Sequence, residues 1–154
     1  MLFSAHPTST AVAMAECPDD WETYNGDDQS LKCFKYFPSQ QYATTAEKDC
    51  QALGGHLASI HSLEEKKFID KMVSDDFWIG GVDVNKNGQW GWTDGSKWDY
   101  TYWMSNQPNG EEYYLIVAGK PKWDWRDWEF NNKKSYVCQL TVMKQRLLAQ
   151  ESGV

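Results

Sequence analysis

Two segments early in the chain carry apolar residues at helical spacing. Residues 44–55, TTAEKDCQALGG, open with threonine at a capping position, have glutamate three positions later, and close with two glycines. Residues 62–74, SLEEKKFIDKMVS, show the same spacing after a serine that can cap the first turn. The predicted buried stripes are Ala46, Cys50 and Leu53 in the first segment, and Leu63, Phe68, Ile69 and Met72 in the second. Both segments are predicted to be helices.

The patterns later in the chain predict strands. Short apolar runs of strand length are HLASI (56–60), FWIGGV (77–82), YYLIV (113–117) and SYVCQL (135–140). The segment 83–95, DVNKNGQWGWTDG, alternates tryptophan with small residues after an Asn-Gly pair, which predicts a hairpin. A long stretch rich in Gly, Asn and Asp then leads to residue 113, and long loops in compact domains are usually functional. Helices early, strands late and a long loop predict an α+β domain.

Length and charge limit the classes of function. The chain has 154 residues, enough for one ordinary domain, which we place at residues 17–140. Residues 1–16 are interpreted as a signal remnant or a disordered N-terminus, and residues 141–154 as a C-terminal tail. A net charge of −7 disfavours nucleic acid and anionic membranes as partners. No apolar run approaches the roughly 18 residues of a membrane-spanning helix. Nine tryptophans suggest a recognition surface beside the core.

The four cysteines indicate the compartment. No Cys-x-x-Cys pair occurs among Cys17, Cys33, Cys50 and Cys138, so zinc-ribbon and thioredoxin interpretations lose support. An even count suits disulfides in an oxidising compartment, with three connectivities open, and four free thiols in a cytosolic protein are the alternative. Residues 13–15, Ala-Met-Ala, fit a secretory cleavage site. We therefore expect a secreted, extracellular protein.

The sequence gives little support to catalysis. His6, His56 and His61 lie in no zinc or nucleophile motif, and structural roles are expected for the last two. The neighbouring Glu111 and Glu112 have no recognisable facing carboxylate, as a glycosidase would require. The protein is predicted not to be an enzyme.

The stretch SNQPNGEE, residues 105–112, admits two interpretations. As a surface turn, its proline fixes one dihedral angle and its Asn-Gly pair tolerates left-handed backbone. As a binding loop, its amide and carboxylate oxygens are ligands that calcium prefers. The composition of the stretch alone favours the turn, so the remainder of the chain decides.

The remainder of the chain resembles a C-type lectin-like domain. The segments CPDDW, CFKYF, AEKDCQALGGHLASIHS, FWIGG, WGWTDGS and YVCQL occur in the order and rough spacing of that family. The resemblance covers residues 17–140. It implies an α+β double-loop domain with two helices, antiparallel sheets and a long loop for calcium and sugar. It also implies the disulfides Cys17–Cys33 and Cys50–Cys138. The family's inner disulfide is missing, with Tyr114 and Phe130 at the matching positions, as in some marine invertebrate lectins.

The resemblance also implies a Ca²⁺ site. Gln107-Pro108-Asn109 is similar to the family motif whose proline is typically cis, and Trp125-Arg126-Asp127 is similar to its Trp-Asn-Asp motif. The implied metal ligands are Gln107, Asn109, Glu112 and Asp127, with Glu111 as the alternative glutamate. Arg126 departs from the motif, because a guanidinium has no acceptor atom. Asp124 is a candidate substitute, and a degenerate site is the alternative.

The function implied is calcium-dependent binding of a carbohydrate, in which vicinal hydroxyls coordinate the ion. The implied sugar-binding residues are Gln107, Asn109, Glu112 and Asp127, with Trp123 or Trp128 as a stacking platform. The two amides that flank the proline do not distinguish mannose from galactose, whereas the tryptophans favour galactose or N-acetylgalactosamine over mannose. A single weak site favours a homo-oligomer, and a secreted lectin suits innate immunity or cell adhesion. The alternative is a lectin-like module that binds protein, mineral or ice.

Overall fold

The computed structural model describes residues 16–26, 30–110 and 112–143. Residues 1–15, Glu111 and most of the predicted tail (144–154) lie outside this range. The described helices are α1 (Ala43–Ala52) and α2 (Leu63–Asp70). The described strands are β1 (Glu22–Asn25), β2 (Ser30–Gln41), β3 (His56–Leu57), β4 (Phe77–Val82), β5 (Gly91–Trp92), β6 (Tyr114–Ala118), β7 (Asp124–Trp128) and β8 (Lys134–Met143). The α+β class is confirmed. None of the described helices has the length and apolar character needed to cross a membrane.

The strands join in one sheet with the order β1-β2-β8-β4-β6-β7, to which β3 adds at β8 and β5 at β4. β2 and β8 pair antiparallel from Ser30 opposite Met143 to Gln41 opposite Lys134, which brings the beginning and end of the domain together. β4 runs parallel to β8, with Trp78 opposite Tyr136. The other pairings between the described strands are antiparallel, as predicted, so this one parallel pairing makes the sheet mixed.

Both predicted disulfides are present. Cys17 is bonded to Cys33 on β2, and Cys50 on α1 is bonded to Cys138 on β8. The second bridge joins residues 88 positions apart and fixes α1 on the sheet. Disulfides persist in oxidising compartments, so the two bridges agree with an extracellular location.

Apolar side chains are buried on both faces of the central strands. Phe77 and Ile79 point into one core cluster, whereas Trp78 between them points into the other. Leu115 and Ile116 on β6 divide in the same way, as expected for the alternation of side chains along a strand. Phe77, Trp78 and Leu115 are fully buried. The predicted strand at 77–82 is thus a buried central strand.

The helix ends differ in part from the prediction. Ser62 caps α2 as predicted, because its hydroxyl accepts the Glu65 N–H at 3.1 Å. α1 instead begins after Tyr42 without a side-chain cap, so Thr44 is not its capping residue. Leu53 and Leu63 are 49% and 44% exposed. Their predicted burial is wrong because both lie at helix ends, beyond the stripe that faces the sheet.

The predicted hairpin forms between β4 and β5, with Val82 opposite Gly91. Its connection is longer than a two-residue Asn-Gly turn. The Asp83 carboxylate accepts the N–H groups of Asn87 and Gly88 at 3.3 and 2.8 Å, and Gly88 takes a positive φ of 80°. The Asp83 side chain therefore stabilises the turn that follows it through these two hydrogen bonds.

Glu47 on α1 ties the helix to the start of β3 and to the long loop. Its carboxylate accepts the Leu57 N–H at 2.9 Å and the Thr93 hydroxyl at 3.1 Å, and it contacts His56 Nδ1 at 2.6 Å. Since Leu57 is only 3% exposed, water cannot replace this acceptor readily.

We predict that Glu47→Ala lowers the free energy of unfolding by about 2 kcal/mol, because the buried Leu57 N–H loses its partner. The measurement is urea denaturation followed by tryptophan fluorescence, with both disulfides intact. Glu64→Ala is the matched control, since Glu64 is exposed on α2. Equal stability of the two variants would contradict the role given to Glu47.

Candidate functional site

The QPN loop, residues 104–112, is attached to β7 through Trp125. The Trp125 N–H donates to the Tyr102 carbonyl at 2.9 Å, and the Trp125 carbonyl accepts the Met104 N–H at 2.9 Å. The Gln107 N–H then donates to the Met104 carbonyl at 3.0 Å, and this hydrogen bond closes a turn that leads into the Gln-Pro-Asn motif. The peptide bond between Gln107 and Pro108 is cis, as the resemblance implied.

Many of the tryptophans form a core beneath this loop rather than a recognition surface. Trp125 is fully buried. Its ring contacts are Trp92, Trp98, Trp103 and Tyr100, at centroid distances of 5.6 to 6.0 Å. The aromatic side chains therefore fix Trp125, whose carbonyl in turn holds Met104 at the start of the loop.

The Asp127 carboxylate holds the other end of the QPN loop. One of its oxygens accepts the Asn109 N–H at 3.1 Å, and the other accepts the N–H groups of Gly110 and Glu112 at 3.0 and 3.4 Å. In return, the Asp127 N–H donates to Gln107 Oε1 at 3.3 Å. Asp127 is 4% exposed, so these bonds are shielded from water.

The predicted ligands meet in one pocket of about 260 Å³. Its lining residues are Gln107, Asn109, Glu112, Asp127, Trp128, Glu129 and Asn132. Glu129 and Asn132 were not predicted from the sequence. Glu129 comes directly after β7, a strand that the sequence did not predict, so no local signal marked it. Asn132 gave no signal either, and its amide reaches the pocket by donating to Glu129 Oε2 at 3.1 Å.

Three further residues were predicted to bind the ion or the sugar, and the structure treats each of them differently. Glu111 lies outside the described residues. Trp123 is 5% exposed and packs edge-on against Phe77, so its prediction as a stacking platform is wrong. Trp128 lines the pocket and is half-buried. Trp128 thus remains as the predicted platform.

Arg126 and Asp124 pair with each other on β7. The guanidinium donates to Asp124 Oδ1 from Nε and from one terminal nitrogen, at 3.3 and 3.1 Å. Asp124 is 4% exposed, and neither residue lines the pocket. The expectation that Asp124 substitutes for the missing ligand is therefore wrong, because the arginine two positions away already holds it.

The chemistry of the pocket fits a hard cation. Its polar groups are amides and carboxylates, and calcium takes such oxygens as ligands. Among the residues that line it, none is lysine or arginine. Gln107, Asn109, Glu112 and Asp127 would hold the ion. No group of three acidic, histidine or cysteine residues within the described chain is placed to hold a metal, so the amides would have to contribute.

An aromatic pair lies close to the positions at which the resemblance implied an inner disulfide. Tyr113, not Tyr114, stacks on Phe130, with ring centroids 6.2 Å apart and planes at 18°. Tyr114 lies edge-on to Trp78 instead. Burial, with a smaller effect from Tyr113, raises the pKa of Tyr114. The expected pairing of Tyr114 with Phe130 is corrected by one residue, because β6 begins at Tyr114 and turns its ring inward.

A second polar cluster lies at the start of the long loop. Asp94 accepts from the hydroxyls of Ser59 and Ser96 and from Gln139 Nε2. Burial alone would raise the pKa of Asp94, but these hydrogen bonds outweigh it and lower the pKa. His61 contacts both serine hydroxyls and Asp99. Asp94 thus accepts a hydrogen bond from each serine hydroxyl, and the structural role expected for His61 stays a prediction.

Known proteins resemble this chain over most of its described length. A family model described as Lectin C-type domain matches residues 39–140. The type-2 ice-structuring protein of Osmerus mordax is 36% identical over 104 residues, which are 66% of this chain and 57% of that protein. Ladderlectin of Oncorhynchus mykiss is 30% identical over 85% of this chain and 72% of its own length. The crystal structure of a calcium-independent type II antifreeze protein has a TM-score of 0.76 and 32% identity, over 83% of this chain and 96% of that one.

We predict that Asp127→Asn releases the QPN loop even without metal. A neutral amide is a weaker acceptor than a carboxylate and offers one oxygen instead of two. Hydrogen exchange of the Asn109 and Gly110 amides, measured in EDTA, should accelerate by about tenfold, which corresponds to roughly 1.4 kcal/mol. Glu129→Gln is the control, because its carboxylate accepts from the Asn132 side chain rather than from the Asn109 or Gly110 N–H. Unchanged exchange in Asp127→Asn would contradict the clamp.

Proposed function

Because the chain belongs to the C-type lectin domain family, whose members are binding proteins rather than enzymes, we propose that the pocket beside the QPN loop binds a carbohydrate with the help of calcium. The observation that carries this proposal is the convergence of Gln107, Asn109, Glu112 and Asp127 on one pocket. These side chains come from two segments of the chain, and the Asp127 carboxylate holds the segments together.

When bound, a calcium ion supplies coordination positions that pairs of sugar hydroxyls can fill. The side chains of the pocket supply the further contacts that distinguish one sugar from another. The carboxylates of Glu112 and Asp127 would accept hydrogen bonds from sugar hydroxyls, and the amides of Gln107 and Asn109 can both donate and accept hydrogen bonds. Support for the loop comes from buried aromatic rings, so the polar groups are positioned before a ligand arrives. Preorganisation of this kind reduces the entropy cost of binding.

The proposed sugar is galactose or N-acetylgalactosamine, with mannose as the less favoured alternative. Trp128 supports this choice, because it is a half-buried tryptophan among the residues that line the pocket, and the apolar face of galactose stacks on aromatic rings. One shallow site is expected to bind with a millimolar Kd, near −4 kcal/mol. Useful avidity would then require several linked sites, hence the proposed homo-oligomer. Secretion and a role in innate immunity remain part of this proposal.

A second candidate is binding to ice, mineral or a protein surface without sugar. Arg126 stands where the family motif has an oxygen ligand, and its ion pair with Asp124 leaves that position empty of acceptors. Relatives named as ice-structuring or antifreeze proteins include that of Osmerus mordax and the calcium-independent type II protein. A site with fewer oxygens binds calcium less tightly, which favours a function that does without the ion.

We predict that the protein labels terminal galactose or N-acetylgalactosamine on a glycan array in calcium, and that EDTA abolishes the signal. Gln107→Ala should reduce the signal at least tenfold, because it removes an oxygen ligand and the acceptor of the Asp127 N–H. Gln89→Ala, at an exposed position of the hairpin, is the control. Signal on mannose would keep the mechanism and correct the sugar. A blank array with multivalent protein would contradict carbohydrate binding.

We also predict that the protein does not restrain ice recrystallisation at micromolar concentration, in calcium or in EDTA. The pocket lining consists mainly of charged and amide groups, which suit hydroxyl pairs on a sugar. Splat-cooled sucrose solutions viewed by microscopy provide the assay. Restrained crystal growth in EDTA, together with a blank glycan array, would establish the second candidate.

A further inference from the structure

Two stacked aromatic rings form a shelf beside the pocket. The Tyr113–Phe130 shelf consists of these two side chains, whose planes differ by only 18°. Phe130 is 55% exposed although one part of its ring is covered by Tyr113. Among the described residues, few large apolar side chains are so exposed, and this one lies next to polar binding groups.

Both residues of the shelf are next in the chain to residues of the pocket. Tyr113 directly follows Glu112, and Phe130 directly follows Glu129, and both glutamates line the pocket. The backbone of each ring is therefore one residue away from a wall of the pocket. At about 260 Å³ the pocket is smaller than the roughly 300–1,000 Å³ that encloses a drug-sized ligand, so it has room for about one sugar ring. A group linked to that ring must leave the pocket across its border.

Tyr113, one of the two rings of the shelf, is held in place by neighbouring residues. Lys86 Nζ lies 4.3 Å from the centre of the Tyr113 ring, a cation–π distance. The Tyr113 carbonyl accepts the Asp83 N–H at 3.0 Å, and its ring lies edge-on to Tyr114. Because Tyr113 is held from behind, Phe130 rests on a rigid base and its exposed surface is available without rearrangement.

We propose that the Tyr113–Phe130 shelf is a second subsite, which takes the apolar face of the next sugar ring of a glycan whose terminal ring occupies the pocket. This inference rests on the proposed carbohydrate function and extends it from a monosaccharide to at least a disaccharide. The ligand is stacked on Phe130 by dispersion and burial of apolar surface, so this subsite needs no metal. Phe130 is thus a specificity-determining residue for the group linked to the terminal sugar.

The test compares affinities of one protein preparation for matched glycosides. The probes are the methyl and p-nitrophenyl β-galactosides, lactose, and the methyl and p-nitrophenyl α-mannosides, measured by calorimetry in calcium. The wild type should bind the p-nitrophenyl form of its preferred sugar about fivefold to tenfold more tightly than the methyl form, because the aryl group covers Phe130. For a galactose-binding site, lactose should likewise exceed the methyl galactoside.

Phe130→Ala should reduce the aryl-to-methyl ratio to near one and leave the Kd of the methyl glycoside within about twofold. Phe130→Tyr should keep the ratio, and Val84→Ala is the control for an exposed apolar residue in the hairpin, with Val84 72% exposed. Because the ratio is taken within one preparation, it does not depend on the fraction of folded protein.

Any other result of these measurements contradicts the proposed subsite. A wild-type ratio of one, or an equal loss for both glycosides in Phe130→Ala, would leave Phe130 with a structural role and overturn the subsite while the sugar site stands. Failure of the wild type to bind any of the methyl or aryl glycosides would overturn the carbohydrate function, and the subsite with it.

Discussion

The binding loop depends on one buried carboxylate. Asp127 accepts three backbone N–H groups of the QPN loop with two oxygens, and its own N–H donates back to Gln107. Hydrogen bonds to an ionised acceptor are about twice as strong as neutral ones, and burial strengthens them further. The rest of the region serves this contact: Trp125, two residues before Asp127, is fixed by main-chain bonds on both sides and by a packed aromatic core. The loop thus acquires its shape from the strand beside it rather than from its own composition.

The spacing of apolar residues predicted the helices, which bury one face, and the central strands, which are buried on both faces. α1, α2, β4 and the central part of β8 correspond to helical spacing and apolar runs. β7 was not predicted, because the sequence DWRDW places charged residues among its tryptophans and has no apolar run. Its strand character arises from pairing with β6, with Leu115 opposite Asp127, and this long-range pairing leaves no local signal. The full lengths of β2 and β8 depend in the same way on each other.

The residues that the family resemblance implied as ligands lie together in the structure, although their role as ligands stays a prediction. The Gln-Pro-Asn stretch and the aspartate that comes after Trp125 and Arg126 indicated a common pocket, and Gln107, Asn109, Glu112 and Asp127 lie there. The abundance of tryptophan was a weaker guide, since Trp123, one of the two candidate platforms, is buried. A tryptophan beside a polar residue can point to either side of a strand, and only the tertiary structure decides. Glu129 and Phe130 were assigned no binding role because their relevance comes from adjacency across β6 and β7.

Arg126 affects the proposed calcium site through the acceptor that it lacks rather than through its charge. A cation at a ligand position would be expected to repel calcium as well. In the structure, Arg126 is two residues from Asp124 on the same face of β7 and forms an ion pair with it, whereas Asp127 faces the pocket. The arginine charge is therefore compensated outside the pocket, and the acidic groups inside it keep their negative potential. If the pocket binds calcium as proposed, Arg126 leaves its coordination set one oxygen short. Calcium tolerates fewer protein ligands when water or sugar hydroxyls complete its shell, at the expense of affinity. The shortage of oxygens, rather than the positive charge, is therefore the constraint that Arg126 places on the proposed site.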